Sequence, residues 1–258
     1  EISRGDWSSD VCSSDLGNPA AVCPLEHWIE DELMQKIAAE NNLAETAFFV
    51  KKDNDYELRW FTPKEEIDLC GHATLATALV IFNYMDTTLE QINFQTKSGV
   101  LKVSKEGNLL SLLFPSRPGK PCEVPHELIK GLGREPKEVY KARDYLAVFE
   151  TEQDIVDLVV NLEELKKLDA LGVIVTAKGR EADFVSRFFA PRAGIDEDPV
   201  TGSAHCTLVP YWSGVLNQSE LTALQLSQRG GKLYCRDLGD KIKMAGEAVA
   251  YLEGYINV

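Results

Sequence analysis

Apolar residues follow two spacings along this chain, one typical of helices and one typical of strands. Leu33, Met34 and Ile37 recur at the spacing that places them on one face of a helix. Short apolar runs bounded by Gly, Pro, Asn or Asp predict strands. The predicted helices cover residues 30–41, 71–84, 151–162, 162–168 and 203–215. The predicted strands cover residues 17–23, 45–50, 56–61, 91–94, 100–103, 109–114, 145–149, 171–176, 182–189, 224–227, 232–236, 242–244 and 248–256. Both kinds of element occur throughout, which predicts an α+β fold.

One stretch of the chain occurs twice. Residues 59–72 resemble residues 187–203, because in both a strand, a proline and an acidic loop lead to a glycine that begins a helix. The matched pairs are Arg59 with Arg187, Phe61 with Phe189, Pro63 with Pro191, Ile67 with Ile195, Asp68 with Asp196 and, after three additional residues in the second copy, Gly71 with Gly202. A predicted hairpin follows each helix. An ordered repeat of this kind predicts two copies of one structural unit.

The repeat predicts two pseudo-symmetric domains with a cleft between them. We place the first domain at residues 17–116 and the second at residues 117–258, with the last strand able to return to the first domain. The proline-rich segment 115–121 is the predicted linker. Residues 1–16 follow neither spacing, so we expect a disordered or foreign segment there.

Composition and charge narrow the class of protein. The chain has 258 residues and is 44% hydrophobic and 26% charged, which is typical of a soluble globular protein. Its net charge of -14 repels phosphate backbones, so we expect no nucleic-acid partner. No apolar run has the length of a membrane span. Six cysteines without a CxxC pattern and four scattered histidines predict reduced thiols, a cytoplasmic protein and no metal site.

The two glycines that begin the repeated helices are candidate binding positions. The first N–H groups of a helix have no partner within it, so Gly71 and Gly202 could present them to an anionic group. The helix dipole disfavours a positive charge, so we expect His72 to be neutral. Simpler interpretations stay open: each glycine only starts a helix, His72 is structural, and Glu45 is a solvated carboxylate at a strand end.

Four motifs in order resemble the phenazine biosynthesis-like family. They are the segments 17–22 (GNPAAV), 42–48 (NLAETAF), 68–74 (DLCGHAT) and 198–203 (DPVTGS). The resemblance covers residues 17–258. It implies the diaminopimelate epimerase-like fold, in which each of two similar domains has a mixed sheet or barrel wrapped around a central α-helix, with the active site between the domains.

The resemblance also implies a function and a set of site residues. The function is that of a cofactor-independent isomerase, a homodimer, which moves a proton between carbons of a small carboxylic acid by general acid/base catalysis. Glu45 is the implied acid/base, with His72 and Asp198 as its catalytic partners. The implied substrate-binding residues are Asn18, Gly71, His72, Gly202 and Ser203. Specificity is expected from the loops around residues 18, 97–98, 143–144 and 228–229.

Two other functions stay open at this stage. Related epimerases and racemases use two opposed cysteines, one beside the glycine of each repeat. Cys70 occupies that position in the first copy, but Thr201 occupies it in the second. A hydroxyl is a far weaker acid than a thiol, which disfavours this mechanism and makes Cys70 a packing residue. The other alternative is a catalytically silent protein that binds ligands or partners.

Overall fold

The computed structural model describes residues 2–9 and 17–256, and these form a mixed α/β structure. The strands are β1 Ile2–Ser9, β2 Asn18–Leu25, β3 Glu45–Lys52, β4 Asp55–Phe61, β5 Glu66–Ile67, β6 Gln91–Thr96, β7 Gly99–Glu106, β8 Leu109–Pro115, β9 Lys120–Pro121, β10 Glu138–Lys141, β11 Tyr145–Val148, β12 Val173–Lys178, β13 Phe184–Phe189, β14 Glu220–Gln225, β15 Gly231–Asp237, β16 Lys241–Gly246 and β17 Val249–Ile256. The helices are α1 Asp31–Asn41, α2 Gly71–Val80, α3 His126–Leu132, α4 Glu152–Val156, α5 Leu162–Leu165 and α6 Gly202–Leu216. A π-helical turn at Ile81–Met85 follows α2, and a 3-10 turn lies at Pro191–Ala193.

The chain divides into two compact units. The first contains Glu1–Leu113 together with Ala245–Val258, and the second contains Phe114–Met244. The division therefore lies close to the linker expected from the sequence. Strand β17 belongs to the first unit, so the chain returns there at its end.

The first unit is a sheet that surrounds one helix. Its strands run in the order β17-β1-β2-β3-β4-β6-β7-β8. Helix α2 packs against β1, β2, β3, β7 and β17. Small residues such as Ala73, Ala76 and Ala78 are fully buried in this helix. A helix that is apolar all round is buried on all sides, and its small side chains let the strands approach closely.

The second unit repeats this plan around α6. Trp212 of α6 stacks on Phe184 of β13 at 5.8 Å between ring centroids. The indole Nε1 of Trp212 donates a hydrogen bond of 2.9 Å to Oγ1 of Thr176 on β12. The same helix packs against β14 and β15. Helix α6 is therefore the core helix of its unit, as α2 is of the first.

Four successive strand pairings of the first unit recur in the second. The pairs β2/β3 and β11/β12 are parallel, and a helical segment connects the two strands of each. The pairs β3/β4 and β12/β13 are antiparallel. After the central helix, β4/β6 and β13/β14 are parallel, and β6/β7 and β14/β15 are antiparallel. The two copies of the repeated sequence therefore fold with the same strand topology.

A duplicated ion pair corrects the sequence alignment of the two copies. Nε and Nη2 of Arg59 donate to the two carboxylate oxygens of Glu66 at 2.7 and 2.9 Å. Nε and Nη2 of Arg187 donate in the same way to Glu197 at 2.7 and 3.0 Å. Glu66 thus corresponds to Glu197, so the three additional residues lie earlier in the acidic loop than the sequence alignment placed them. The pairings of Ile67 with Ile195 and of Asp68 with Asp196 are therefore wrong.

The structure differs from the sequence prediction at residues 2–9. These residues form β1, which pairs antiparallel with both β2 and β17. Strand pairing uses backbone N–H and C=O groups, so two neighbouring strands can hold a segment whose side chains show no alternation. The remainder of the expected disordered or foreign segment, residues 1 and 10–16, lies outside the described residues.

The proline-rich segment predicted as a linker is bound to the second unit. Pro210 lies inside α6 and has no N–H group to donate to the carbonyl of Cys206. The backbone N–H of Arg117 donates to that carbonyl instead, at 2.8 Å. The segment is therefore held by a hydrogen bond that the helix itself cannot make.

Two further differences concern helices. The helices predicted at 151–162 and 162–168 are the shorter helices α4 and α5. Helix α3 was not predicted. Across residues 2–9 and 17–256, no helix has both the length and the apolar character needed to cross a membrane.

Candidate active site

Glu45 lies at the start of a buried strand. It is the first residue of β3, opposite Ala20 of the parallel strand β2, and only 8% of it is exposed. The next five residues of β3 are buried. Nδ2 of Asn41 donates to Oγ1 of Thr46 at 3.0 Å and braces the turn from α1 into β3. The apolar strand thus fixes a carboxylate at its own end, largely shielded from water.

His72 and Cys70 converge on this carboxylate from the start of α2. Nε2 of His72 lies 2.8 Å from Oε2 of Glu45, within ion-pair distance. Oε2 is buried, and no described residue gives it a hydrogen bond of good geometry. Sγ of Cys70 lies 3.6 Å from Nδ1 and 3.8 Å from Nε2 of the same imidazole ring. Carboxylate, imidazole and thiol therefore share one small site, and they form one group of described residues that could hold a metal ion.

The charges of this group follow from its burial and its contacts. Burial lowers the pKa of His72, but nearby Cys70 and Glu45 outweigh burial and raise it well above its ordinary value. Burial raises the pKa of the Cys70 thiol to about 11, and the Glu45 carboxylate acts in the same direction. Cys70 and Glu45 thus both favour the protonated form of His72. The raised pKa of His72 runs against the sequence prediction of a neutral ring, because the contacts with Cys70 and Glu45 outweigh burial.

Asp198 lies in the turn that leads into α6 of the second unit. Its Oδ2 accepts a hydrogen bond of 2.6 Å from Oγ1 of Thr201. The amide of Gln225 fixes the turn: its Nε2 donates to the carbonyl of Asp198 at 2.7 Å, and its Oε1 accepts from the N–H of Thr201 at 2.9 Å. Gln225 is buried, so the turn is held from the core side. The first turn of α6 is thereby fixed in place.

A guanidinium group lies at the first turn of α6. Nη2 of Arg143 donates to Oγ of Ser203 at 2.9 Å. Nε and Nη2 of Arg143 donate to Oδ2 of the buried Asp144 at 3.0 and 2.8 Å, and Oδ1 of Asp144 accepts from the N–H of Gly172. A Cβ atom added to Gly202 would meet open space. Arg143 and the positive end of α6 together favour a carboxylate at this position.

His205, in the same helix, is a structural residue. It is fully buried, and its Nδ1 lies 2.8 Å from the carbonyl oxygen of Thr201. Burial lowers the pKa of His205 to about 4. The ring is therefore neutral at ordinary pH and supports the first turn of α6.

The structure places the residues predicted from the sequence in two groups. Asn18 is the buried first residue of β2, and Gly71 is the first residue of α2. Glu45 and His72 are in contact. The second group lies at the start of α6: Asp198, Gly202 and Ser203. Gln225 was not predicted from the sequence, and Arg143 was predicted only as part of a specificity loop. An Arg-Asp dipeptide directly before a buried strand was the available signal.

Solved structures with little sequence identity share this fold. A probable proline racemase from Agrobacterium radiobacter has a TM-score of 0.64 at 7% identity, covering 100% of this chain and 93% of that one. A hydroxyproline epimerase from Agrobacterium vitis has a TM-score of 0.61 at 9% identity, covering 98% and 92%. The predicted fold class is confirmed: the protein has the diaminopimelate epimerase-like fold.

Closer similarities define the family. The family description "Phenazine biosynthesis-like protein" matches residues 13–254. An uncharacterised isomerase of Pseudomonas aeruginosa is 48% identical over 242 residues, which cover 94% of this chain and 93% of that protein. A phenazine biosynthesis protein of Clostridium difficile, solved by crystallography, is 46% identical with a TM-score of 0.95 and covers 100% of both chains. The chain belongs to the phenazine biosynthesis-like family, and it is an isomerase.

Proposed function

We propose that this isomerase moves a proton between two carbons of a small carboxylic acid, without a cofactor, and that Glu45 carries the proton. One observation supports this assignment above the others. The Glu45 carboxylate is largely buried at the end of an apolar strand and lies 2.8 Å from Nε2 of His72. A positioned carboxylate shielded from water is suited to general acid/base catalysis.

The proposed reaction has two proton transfers. The Glu45 carboxylate removes a proton from one carbon, and the electron pair of that C–H bond moves into an adjacent double bond or carbonyl group. The resulting carboxylic acid of Glu45 then returns the proton to a different carbon, so the double bond shifts and no net charge is lost. His72 stabilises the carboxylate form of Glu45 and can donate a hydrogen bond to the substrate.

We assign substrate binding to both sets of predicted residues. In the first unit these are Asn18, Gly71 and His72. In the second unit, Gly202 and Ser203 offer backbone N–H groups, and Arg143 offers a guanidinium group next to Ser203. Asp198 acts as a catalytic partner for polar groups of the substrate. The fixed positive charge of Arg143 supports a carboxylic acid as the substrate class.

Proton NMR in deuterated buffer tests this proposal. The protein is incubated with a panel of small carboxylic acids, cyclic and unsaturated ones included. We expect one of them to lose the signal of a carbon-bound proton, because Glu45 exchanges its proton with solvent between the two transfers. Glu45→Gln keeps the shape of the side chain but removes the base, so it should slow exchange by about 100-fold or more.

Two further variants sharpen the experiment. Glu40→Gln, at an exposed position of α1, should exchange at the wild-type rate. Arg143→Gln should raise the substrate concentration needed for half-maximal exchange about tenfold or more, with a smaller effect on the maximal rate. Exchange at the wild-type rate in folded Glu45→Gln protein would remove Glu45 from the mechanism.

The structure gives a physical argument against a two-thiol epimerase. Thr201 takes the place of the second cysteine, and its hydroxyl donates to Asp198. Burial raises the pKa of the Cys70 thiol to about 11, so this thiol is a poor base at neutral pH. Exchange at the α-carbon of an amino acid in the same NMR panel would favour epimerisation instead. Tight binding of a ligand without exchange would favour a silent binding protein.

The remaining properties of the protein are proposals of the same kind. The family resemblance leads us to propose a homodimer in the cytoplasm, and the net charge of -14 leads us to propose no nucleic-acid partner. Sedimentation equilibrium measures the oligomeric state directly.

A further inference from the structure

Three side chains of the first unit form a set of metal ligands that the sequence did not indicate. Glu45, Cys70 and His72 each offer one ligand atom, and these atoms lie within 4.8 Å of one another. Glu45 comes from the start of β3, and the other two residues come from the first turn of α2 and the position before it. Residues 45 and 70 are far apart in the sequence, so no short sequence motif contains all three metal ligands.

The donor set suits a particular class of metal. A thiol, an imidazole and a carboxylate together favour Zn²⁺ or a similar borderline-soft divalent ion over Mg²⁺ or Ca²⁺. Ligands around a tetrahedral Zn²⁺ lie about 3.3–3.6 Å apart. Nε2 of His72 lies 2.8 Å from Oε2 of Glu45 and 3.8 Å from Sγ of Cys70. These two distances lie within about half an ångström of tetrahedral spacing, and all three ligand atoms lie within 4.8 Å of one another.

Access and burial also fit a metal site. The side chains of His72 and Glu45 are 15% and 11% exposed, so an ion can reach them from solvent. Oε2 of Glu45 is buried without a well-directed hydrogen bond from the described residues. Buried oxygens of this kind gain most from a ligand that satisfies them.

We propose that Glu45, Cys70 and His72 bind Zn²⁺ and that the bound ion inhibits the isomerase. Only the inhibition rests on the proposed function. Binding forms bonds from the metal to the sulfur, the imidazole nitrogen and the carboxylate oxygen, while the protons of the thiol and the imidazolium leave to solvent. The ion occupies the lone pairs that proton transfer requires. A free carboxylate and an occupied metal site are thus mutually exclusive states of Glu45.

Cobalt provides a direct test, because Co²⁺ bound to a thiolate absorbs in the near ultraviolet. Co²⁺ is added to the full chain, and Zn²⁺ is then titrated to displace it. We expect a sulfur-to-cobalt charge-transfer band in the wild type that Zn²⁺ removes. Cys70→Ala should lack the band and bind Zn²⁺ about 100-fold more weakly or worse. Cys206→Ala is the matched control, because Cys206 is also a buried free thiol and burial raises its pKa to about 11.

A second variant and a second measurement test the metal site even if Cys70→Ala is unstable. Cys70→Thr introduces the residue found at the equivalent position of the second unit. Release of protons from the wild type on addition of Zn²⁺, in weakly buffered solution, reports binding without any variant. No band in the wild type, or an undiminished band in folded Cys70→Ala protein, would overturn the site.

The inhibition has its own readout. Zn²⁺ should stop proton exchange in the wild type but not in Cys70→Ala, which keeps Glu45 and His72. Faster exchange with Zn²⁺ would overturn inhibition and indicate metal-assisted catalysis. A cobalt band together with no exchange on any acid would leave the metal site standing and count against the proposed function alone.

Discussion

At the scale of single residues, the distinctive feature is the contact of His72, whose pKa is raised, with the buried carboxylate of Glu45. The sequence motifs pointed to Glu45 and His72 as site residues. The helix dipole, however, led to the prediction of a neutral His72, which the raised pKa contradicts. The helix dipole can be inferred from a position in the sequence, whereas a contact of 2.8 Å between residues 27 positions apart (72 minus 45) requires the folded chain. The role of Arg143 could not be predicted for the same reason, because its hydrogen-bond partner Ser203 is distant in the sequence.

The charge of His72 can be tested by NMR titration of its imidazole ring. Its pKa lies well above the ordinary 6.5, so we expect the wild-type ring to stay protonated through neutral pH. Glu45→Gln should move the midpoint to lower pH, because it removes the negative charge. Cys70→Ala should move the midpoint in the same direction, because Cys70 also contributes to the raised pKa. A low midpoint in Cys70→Ala alone would make the sulfur the source of the effect.

The same ion pair makes stability depend on pH in a defined direction. Because folding raises the pKa of His72, its contribution is fully present below about pH 6.5 and is lost as pH rises through the raised pKa. In urea unfolding, the stability difference between the wild type and Glu45→Gln should therefore shrink at high pH. A difference that grows with pH would contradict this assignment of charge.

At the scale of elements, the two units share a bidentate Arg–Glu pair between a strand and the acidic loop that leads to the central helix. Arg59 and Arg187 also lie over the rings of Phe61 and Phe189, at 5.2 and 4.9 Å. The pair anchors the loop that precedes each central helix. The repeated Arg-x-Phe pattern was visible in the sequence, but the glutamate partner was not, because the loop lengths differ.

We expect each of these pairs to stabilise its unit. Glu66→Gln and Glu197→Gln each remove the bidentate carboxylate of a partly buried arginine and should each lower the free energy of unfolding by about 1–3 kcal/mol. Arg59 keeps its contact with Asp31 at 2.8 Å, so we expect the smaller loss for Glu66→Gln. Urea unfolding measures the effect. Glu220→Gln is the matched control, because its partner Arg236 lies 3.5 Å away and both side chains are exposed, so its effect should stay within about 0.5 kcal/mol. Equal effects at all three positions would show that burial does not matter here.

Most long elements could be predicted from the spacing of apolar residues. The exceptions depend on backbone pairing or on helix caps. Strand β1 has a side-chain pattern that does not alternate, and its place depends on pairing with β2 and β17. Helices α4 and α5 begin after the N-cap residues Thr151 and Asn161 and end at Val156 and Leu165, so the second N-cap interrupts the longer predicted helix. Backbone pairing and caps act locally or between distant strands, and apolar spacing reports neither.

At the scale of the whole molecule, duplication and charge dominate. The repeat in the sequence was sufficient to predict two similar units with a central helix each. The return of β17 to the first unit was left open by the sequence, because its exposed side chains carry little pattern. The net charge, in contrast, follows from the sequence alone and is -14 at pH 7.

That charge should affect how an anionic substrate reaches the enzyme. A strongly negative protein repels a carboxylate at long range, and salt screens this repulsion. We expect KM for the substrate to fall roughly twofold to fivefold as salt rises from about 20 mM to about 200 mM. Initial rates at several salt concentrations measure this, with circular dichroism to confirm an unchanged fold. A KM that rises with salt would show that positive groups such as Arg143 dominate the field instead.

Pro210 and Arg117 are coupled by one carbonyl group. Because a proline at position 210 leaves the carbonyl of Cys206 to the N–H of Arg117, a second proline at position 117 would leave it with neither donor. The neighbouring positions 115 and 118 are prolines, yet position 117 must keep an N–H group. In evolutionary terms the two sites are expected to vary together. A lineage can carry proline at either position but not at both, although 93 residues (210 minus 117) separate them in the sequence.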